Sequence, residues 1–419
     1  MNKNINSIND VVVIGAGIVG LSVALKLKTE GYSVAIVDKD DPMQGCSAGN
    51  AGFLSEANIF PPATSDIILK LPKLLFAKEG PLVIAPTYLN RMVPWTIKAA
   101  ATLNRAKYNA IVEAFSSLIT RSQASLIKLA TIADAQHFLS KEGGLVCFLT
   151  REAFEARKEK IPFWRSKGIV VRVLDNAETR KLEPNVTDNI VGSIFFENSG
   201  RCKNPQGLGL QYFNYLQEEG VPFYKSSVLK VSRKGVDCWV VKTSVKEVEA
   251  RKVIFCAGYY TETLLKSFGY SQRVASERGY HLMLPAPEVV LNRPVVFGEP
   301  YFAATPMEHG LRLAGTAEFT HPNKPANTAR ALMLKDLAVR YLPQLNAEKA
   351  VPWMGVRPTL PDGLPAIGSV KNQPGLFYAY GHGHNGLMTS AITAECIAAL
   401  VANKTPPVDI IPFDVLRFG

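Results

Sequence analysis

Six cysteines, at 46, 147, 202, 238, 256 and 396, form no CxxC pair and sit in no group with histidine at metal-ligand spacing. That argues against zinc or iron–sulfur sites and favours a reducing compartment. Runs of like charge are absent too. The 47 Lys and Arg and 36 Asp and Glu leave a net charge of +11, spread along the chain. With no zinc finger and no RNA-binding signature, nucleic acid is the weakest of the anionic partners a basic chain attracts. Low-complexity tracts and internal repeats are also lacking. Residues 1–10 carry no apolar stretch of a secretory signal. The longest apolar stretch, 11–27, is glycine-interrupted and short for a membrane span. A soluble or surface-associated protein is expected, with a cytoplasmic location.

What is present is ample apolar content, 47% against 20% charged residues, enough for substantial cores over 419 residues. The β-branched run 11–14 reads as a buried parallel strand. Gly15-Ala16-Gly17-Ile18-Val19-Gly20 follows at once, then a helical pattern over 21–30 that Gly31 stops. A second strand, 34–37, ends in Asp38. These make a βαβ unit with GxGxxG in its required setting and an acidic residue at the ribose-binding distance. Gly15 permits the tight turn, Gly17 lets backbone approach a pyrophosphate, and Gly20 lets helix and strand pack closely. The free N–H groups of the helix start then face the phosphates. The small-residue loop 45–53, Gly-Cys-Ser-Ala-Gly-Asn-Ala-Gly-Phe, lets backbone pass close to an extended cofactor, which favours FAD over NAD.

Further along, helical patterns are expected over about 105–138, 177–182, 205–220 and 387–402. Strands are expected over 169–174, 226–232, 238–243, 253–258 and 376–380, and several antiparallel ones between 289 and 319.

These stretches together resemble the D-amino-acid oxidase-type superfamily of FAD enzymes, closest to bacterial D-amino-acid dehydrogenase. The likeness is carried by VVVIGAGIVGLSVALKL, CSAGNAGFLS, VIFCAGYYT, LRLAGTAEF, WMGVRPTLPDGLPAIG and YAYGHGHNGLMTS, from residue 11 to about 390. The resemblance implies an α/β fold: a Rossmann-like FAD-binding domain interleaved with an α+β substrate domain on a mostly antiparallel sheet. It places 1–80, 200–268 and 345–419 in the first domain and 81–199 and 269–344 in the second.

It also implies roles. Asp38 binds the adenosine ribose, with Lys39 beside it. Ser47, Gly49, Asn50 and Gly52 line the flavin and pyrophosphate, Val228 offers backbone groups to adenine, and Ala257 and Gly258 abut the phosphates. In the turn 380–387, Gly383 and its fellow glycines let backbone lie flat against a ring. The helix opened by Gly386 and Leu387 aims its N-terminus there, and His384 and Asn385 add hydrogen bonds. Arg357 is the first candidate for a bidentate grip on a substrate carboxylate.

One departure concerns glycine oxidase, whose further carboxylate-binding arginine has no counterpart in 304–308. Arg278, Tyr280 and His281 are the candidates to replace it, with Tyr301 weaker. The implied chemistry is hydride removal from the α-carbon of a small amino acid, with no metal and no nucleophile, FAD held non-covalently, and water or His281 taking the proton. Electrons pass to a respiratory acceptor such as a quinone. The basic, apolar segment 66–98 suggests peripheral contact with the inner face of the cell membrane. Three alternatives stay open: an oxygen-using oxidase of glycine or N-methyl amino acids, a D-proline or hydroxyproline dehydrogenase, and a non-catalytic flavoprotein subunit.

Overall fold

A computed structural model describes residues 8–61, 80, 82–270 and 274–418. Most of 66–98 before residue 82 lies outside them.

The run 11–14 is buried on both sides: Val11 and Val13 share a core with helix residues such as Leu21 and Ala394, Val12 and Ile14 a second core with Val231, Trp239 and Val241 of the strands beyond. In that sheet Phe223–Lys225, Val34–Asp38, Asn9–Ile14, Glu247–Phe255 and Leu376–Tyr380 are consecutive parallel neighbours. Trp239–Thr243 and Val228–Arg233 continue it as an antiparallel meander, and Ala366–Ser369 pairs antiparallel with Leu376–Tyr380. The helix Ile18–Thr29 packs against the C-terminal helix Gly386–Val401. It carries Lys26 and Lys28 in its last turn and no acid in its first, as the helix dipole favours at an anion-binding start.

The second sheet is mixed and mostly antiparallel, in the order Val351–Thr359, Ala275–Leu284, Gly310–Phe319, Phe302–Met307, Val295–Phe297, Gly144–Phe148, Gly192–Phe196 and Val171–Leu174. Leu82–Ile84 adds to Gly310–Phe319. Two expected boundaries move. Strand Val351–Thr359 pairs along its whole length with Ala275–Leu284, so it belongs to the second sheet although the residues after it return to the first. Helix Arg105–Ile132 packs on Gly386–Val401, and its Leu118 and Ile119 share a core with Val23 and Ala394, so it covers the dinucleotide-type sheet.

The chain end locks the loop after Val351–Thr359. Arg417 forks onto buried Asp362, Nε to Oδ2 at 2.6 Å and Nη2 to Oδ1 at 3.0 Å, and Nη2 also donates to the Leu364 carbonyl. Removing one partner of such a pair strands a buried charge at about 3–5 kcal/mol. Arg417→Met is therefore expected to lower the melting temperature by about 5 °C, read by thermal denaturation. An unchanged melt would show that the pair is solvated.

Candidate active site

At the carboxyl ends of the parallel strands the chain turns inward four times, at Gly15, Lys39, Cys256–Gly258 and Gly381–Gly383. All line one cavity of about 830 Å³. Ligands of open α/β sheets bind at this edge. The tightness of the first turn is physical: a Cβ on Gly15, at φ +116°, would lie 2.4 Å from the Cys256 carbonyl oxygen. On Gly20 it would lie 1.9 Å from the Gly15 oxygen, which seats the helix against the strand. At Gly17 the nearest atom is Ser47 Oγ at 3.3 Å, and the side otherwise opens to the cavity. No side chain of its own caps this helix; the Ile18 N–H donates to Ser47 Oγ at 3.2 Å from the small-residue loop.

Asp38 lines the cavity and accepts the Ala16 N–H at 2.6 Å and the Asp40 N–H at 3.0 Å, while burial raises its carboxyl above the usual range. Lys39, Val19, Val228, Ala257 and Gly258 line the same wall. The small-residue loop is tied down from two sides. Arg312 donates to the Ala48 and Asn50 carbonyls, and Asn50 donates through its side-chain nitrogen to the His384 carbonyl at 3.2 Å. This joins stretches 334 residues apart. Gly49 passes under the Trp353 ring so closely that a Cβ there would lie 2.2 Å away. Gly52, at φ +72°, faces the Cys202 carbonyl, outside the cavity wall.

The turn after Leu376–Tyr380 presents Gly383, His384, Gly386 and Leu387 to the cavity. Asn385 is buried behind it, accepting weakly from Asn58 at 3.5 Å. His382 is buried and meets Thr393 Oγ1 at 3.1 Å. The helix Gly386–Val401 starts here without a side-chain cap, so its N–H groups are available to an anionic ring edge.

Arg357 lines the cavity, with one Nη1–H donated to Glu277 at 3.0 Å. Glu277 lies opposite it in the strand register and also accepts Thr359 Oγ1 at 2.6 Å. Burial works to raise Glu277, and Arg357 with Thr359 overcomes it, holding the carboxyl below its ordinary value. Enclosure lowers the His384 imidazole, with Glu277 opposing and Arg357 assisting. Gly279 makes room for this guanidinium, since a Cβ there would lie 2.2 Å from Arg357 Cζ.

Strand alternation separates the other candidates. Glu277, Gly279 and His281 face the cofactor-side wall. Arg278 and Tyr280 point through the opposite face, against the expectation that they replace a second substrate arginine. Arg278 binds Glu318 and the Lys324 and Pro325 carbonyls, and Tyr280 Oη donates to Glu318 at 2.5 Å beneath the helix Ala329–Ala338. His281 is screened from the cavity by Trp353, stacked on it at 4.8 Å, and its Nδ1–H donates to the Gly49 carbonyl at 3.1 Å. Burial, with Arg312 nearby, pushes it down to about 3, so it is a poor proton acceptor.

His382 is likewise held at about 3 by burial. A histidine with a folded value below its unfolded one, about 6.5, favours unfolding as pH falls below 6.5, and the penalty grows until the folded value is reached. His281 and His382 should each steepen the loss of stability by about 1.4 kcal/mol per pH unit in that window. His382→Gln is expected to remove about 1 kcal/mol of the stability lost between about pH 7 and about pH 5.5, measured by chemical denaturation at those two values. An equal slope in both proteins would mean that His382 is solvated.

An FAD-sized ligand suits this edge: glycines where a Cβ would collide, a helix start without its own cap, and a second helix start at the far end. Residues 10–400 match the family model described as FAD dependent oxidoreductase. The chain belongs to that family. This FAD-dependent oxidoreductase is 30% identical over 418 residues to a D-amino-acid oxidase of Bradyrhizobium diazoefficiens, covering 97% of this chain and 98% of that one. It is 28% identical to a D-amino acid dehydrogenase of Rhizobium rhizogenes, covering 98% and 100%. Glycine oxidase from Geobacillus kaustophilus shares the fold, with a TM-score of 0.77 at 23% identity over 98% of each chain. Glu277, Arg312 and Trp353 are the elements of this site that motif reading passed over.

Proposed function

We propose that this oxidoreductase oxidises a small D-amino acid at its α-carbon and passes the electrons to a respiratory acceptor. The observation that carries the reading is a guanidinium, Arg357, facing the same cavity as the glycine turn that carries His384. Bound FAD would supply the two-electron oxidising chemistry for hydride removal from Cα. Arg357 would hold the substrate carboxylate with the N–H groups that Glu277 leaves free, and Glu277 with Thr359 fixes the plane of the fork. The cavity walls would then hold the substrate in place, and that positioning would be the main catalytic contribution. Water takes the ammonium proton, since His281 is neutral, screened and bonded to Gly49. The imine formed from the substrate adds water to give a 2-oxo acid and ammonia. FAD is held non-covalently in this reading. Burial raises the thiols of Cys46 and Cys256, the cysteines on the cavity wall, which disfavours the thiolates a covalent link needs.

Membrane contact through 66–98 is part of the proposal. In the helix Leu89–Ala100 the outward stripe is Leu89, Val93 and Ile97, 50%, 57% and 66% exposed. Arg91, Trp95 and Lys98 instead turn back to Tyr259, Thr359 and Phe418. Contact through this helix would set that apolar stripe against the bilayer, with the exposed Arg91 near it. Among the described residues no helix is long and apolar enough to cross a membrane.

The test is a product balance with D-alanine. The proposal expects 2-oxo acid formed one for one with reduction of a soluble quinone, with little hydrogen peroxide. Peroxide matching the oxo acid in air would favour an oxidase, the activity named for the Bradyrhizobium relative.

A further inference from the structure

We propose that Arg157 and Tyr301 bind a second carboxylate at the side-chain end of the substrate, which makes an acidic D-amino acid the preferred donor. The inference rests on the amino-acid reading above and narrows its substrate class.

Arg157 lies in the helix Arg151–Lys158, outside the dinucleotide fold, yet it lines the cavity that Arg357 lines. The two guanidiniums differ in their company. Arg357 is offset by Glu277 at 3.0 Å. Arg157 forms no ion pair with a carboxylate among the described residues, and its buried Nε has no hydrogen-bond partner. Its guanidinium stands 5.7 Å from the centre of the Trp164 ring. A buried guanidinium Nε with no acceptor is unfavourable, and an anion brought into the cavity would supply one.

Tyr301 is the second observation. It lines the same cavity as Arg157. Its backbone adopts φ +55°, a left-handed conformation that a bulky residue enters at a cost. Its side chain nonetheless stays 57% exposed, so no core packing repays that strain. A guanidinium fork and a phenol hydroxyl facing one cavity are donors suited to a carboxylate. Val146, Val296 and Phe302 give the neighbouring wall an apolar lining, which suits the methylene chain of an acidic side chain. The net charge of +11 draws the same substrates by its field.

The test uses the flavin-loaded protein with two readouts. Glutarate and propionate are titrated against the flavin absorption spectrum, which needs no turnover. D-aspartate, D-glutamate and D-alanine are compared as donors to an artificial acceptor. Glutarate is expected to bind about 10–100-fold more tightly than propionate, and both acidic donors to exceed D-alanine in kcat/KM by a similar factor. Arg157→Gln should remove most of both preferences, chiefly through KM. Tyr301→Phe should remove less, and Arg157→Lys should retain part. A wild-type protein without preference for glutarate overturns the proposal, as does an Arg157→Gln protein weakened equally towards glutarate and propionate. If glutarate preference holds while no amino acid reduces the flavin, the amino-acid reading fails and the second carboxylate site stands.

Discussion

Gly17→Val is expected to purify colourless, with its affinity for FAD lowered about 100-fold or more. The glycine sits at φ −77° and ψ 176°, extended backbone open to any residue, so valine fits the chain without strain. Its branches would stand over the helix start, where cofactor phosphates would take backbone N–H groups. Losing two charge-assisted hydrogen bonds at about 1.5–3 kcal/mol each accounts for the effect. The neighbouring glycines make poorer probes. Substituting Gly15 or Gly20 drives a Cβ into a carbonyl at 2.4 or 1.9 Å and breaks strand–helix packing itself. The measurement is the flavin-to-protein absorbance ratio after desalting, with circular dichroism showing a retained fold. A yellow, fully loaded variant would mean that the phosphates lie elsewhere.

Arg357→Lys should keep its flavin and lose about 100–1000-fold in kcat/KM, most of it through KM. An ammonium cannot hold a substrate carboxylate in two parallel bonds while also satisfying Glu277. Lysine is a better probe than alanine here. Alanine would leave Glu277 buried with its charge unpaired, and lost stability would obscure lost binding. Gly279→Ala offers a check from the other side, because its Cβ would meet Arg357 Cζ at 2.2 Å. It should reproduce part of the KM effect without touching any charge. Unchanged steady-state kinetics in Arg357→Lys would take this residue out of the substrate site.

The dinucleotide half of this architecture was legible because its information is local. Residues 11–38 contain a strand, a glycine turn, a helix and a second strand within one βαβ unit, and each step follows from its own residues. The turn 380–387 was legible for the same reason. The second sheet was harder. Motif reading grouped Arg278, Tyr280 and His281 as one patch, although a strand sends its neighbours to opposite faces. Alternation would have split them; which face turns inward is decided by a helix 50 residues later, Ala329–Ala338. The pairing of Glu277 with Arg357 spans 80 residues and depends on strand register, which no local pattern encodes. Helix Arg105–Ile132 falls in the range expected for the substrate domain yet packs on Gly386–Val401, because an amphipathic pattern reveals a buried face without naming what buries it. Arg157 carries no motif at all, and only the shared cavity brings it to notice.

The measurement closest to the central claim is anaerobic mixing of the purified, flavin-loaded protein with single D- and L-amino acids, read by flavin absorbance. The account predicts full bleaching by at least one D-amino acid, retained flavin but bleaching that needs far more substrate in Arg357→Lys, and no bleaching by the L-enantiomer. A flavin that stays oxidised with every amino acid offered, in a protein that dithionite still reduces, would contradict it.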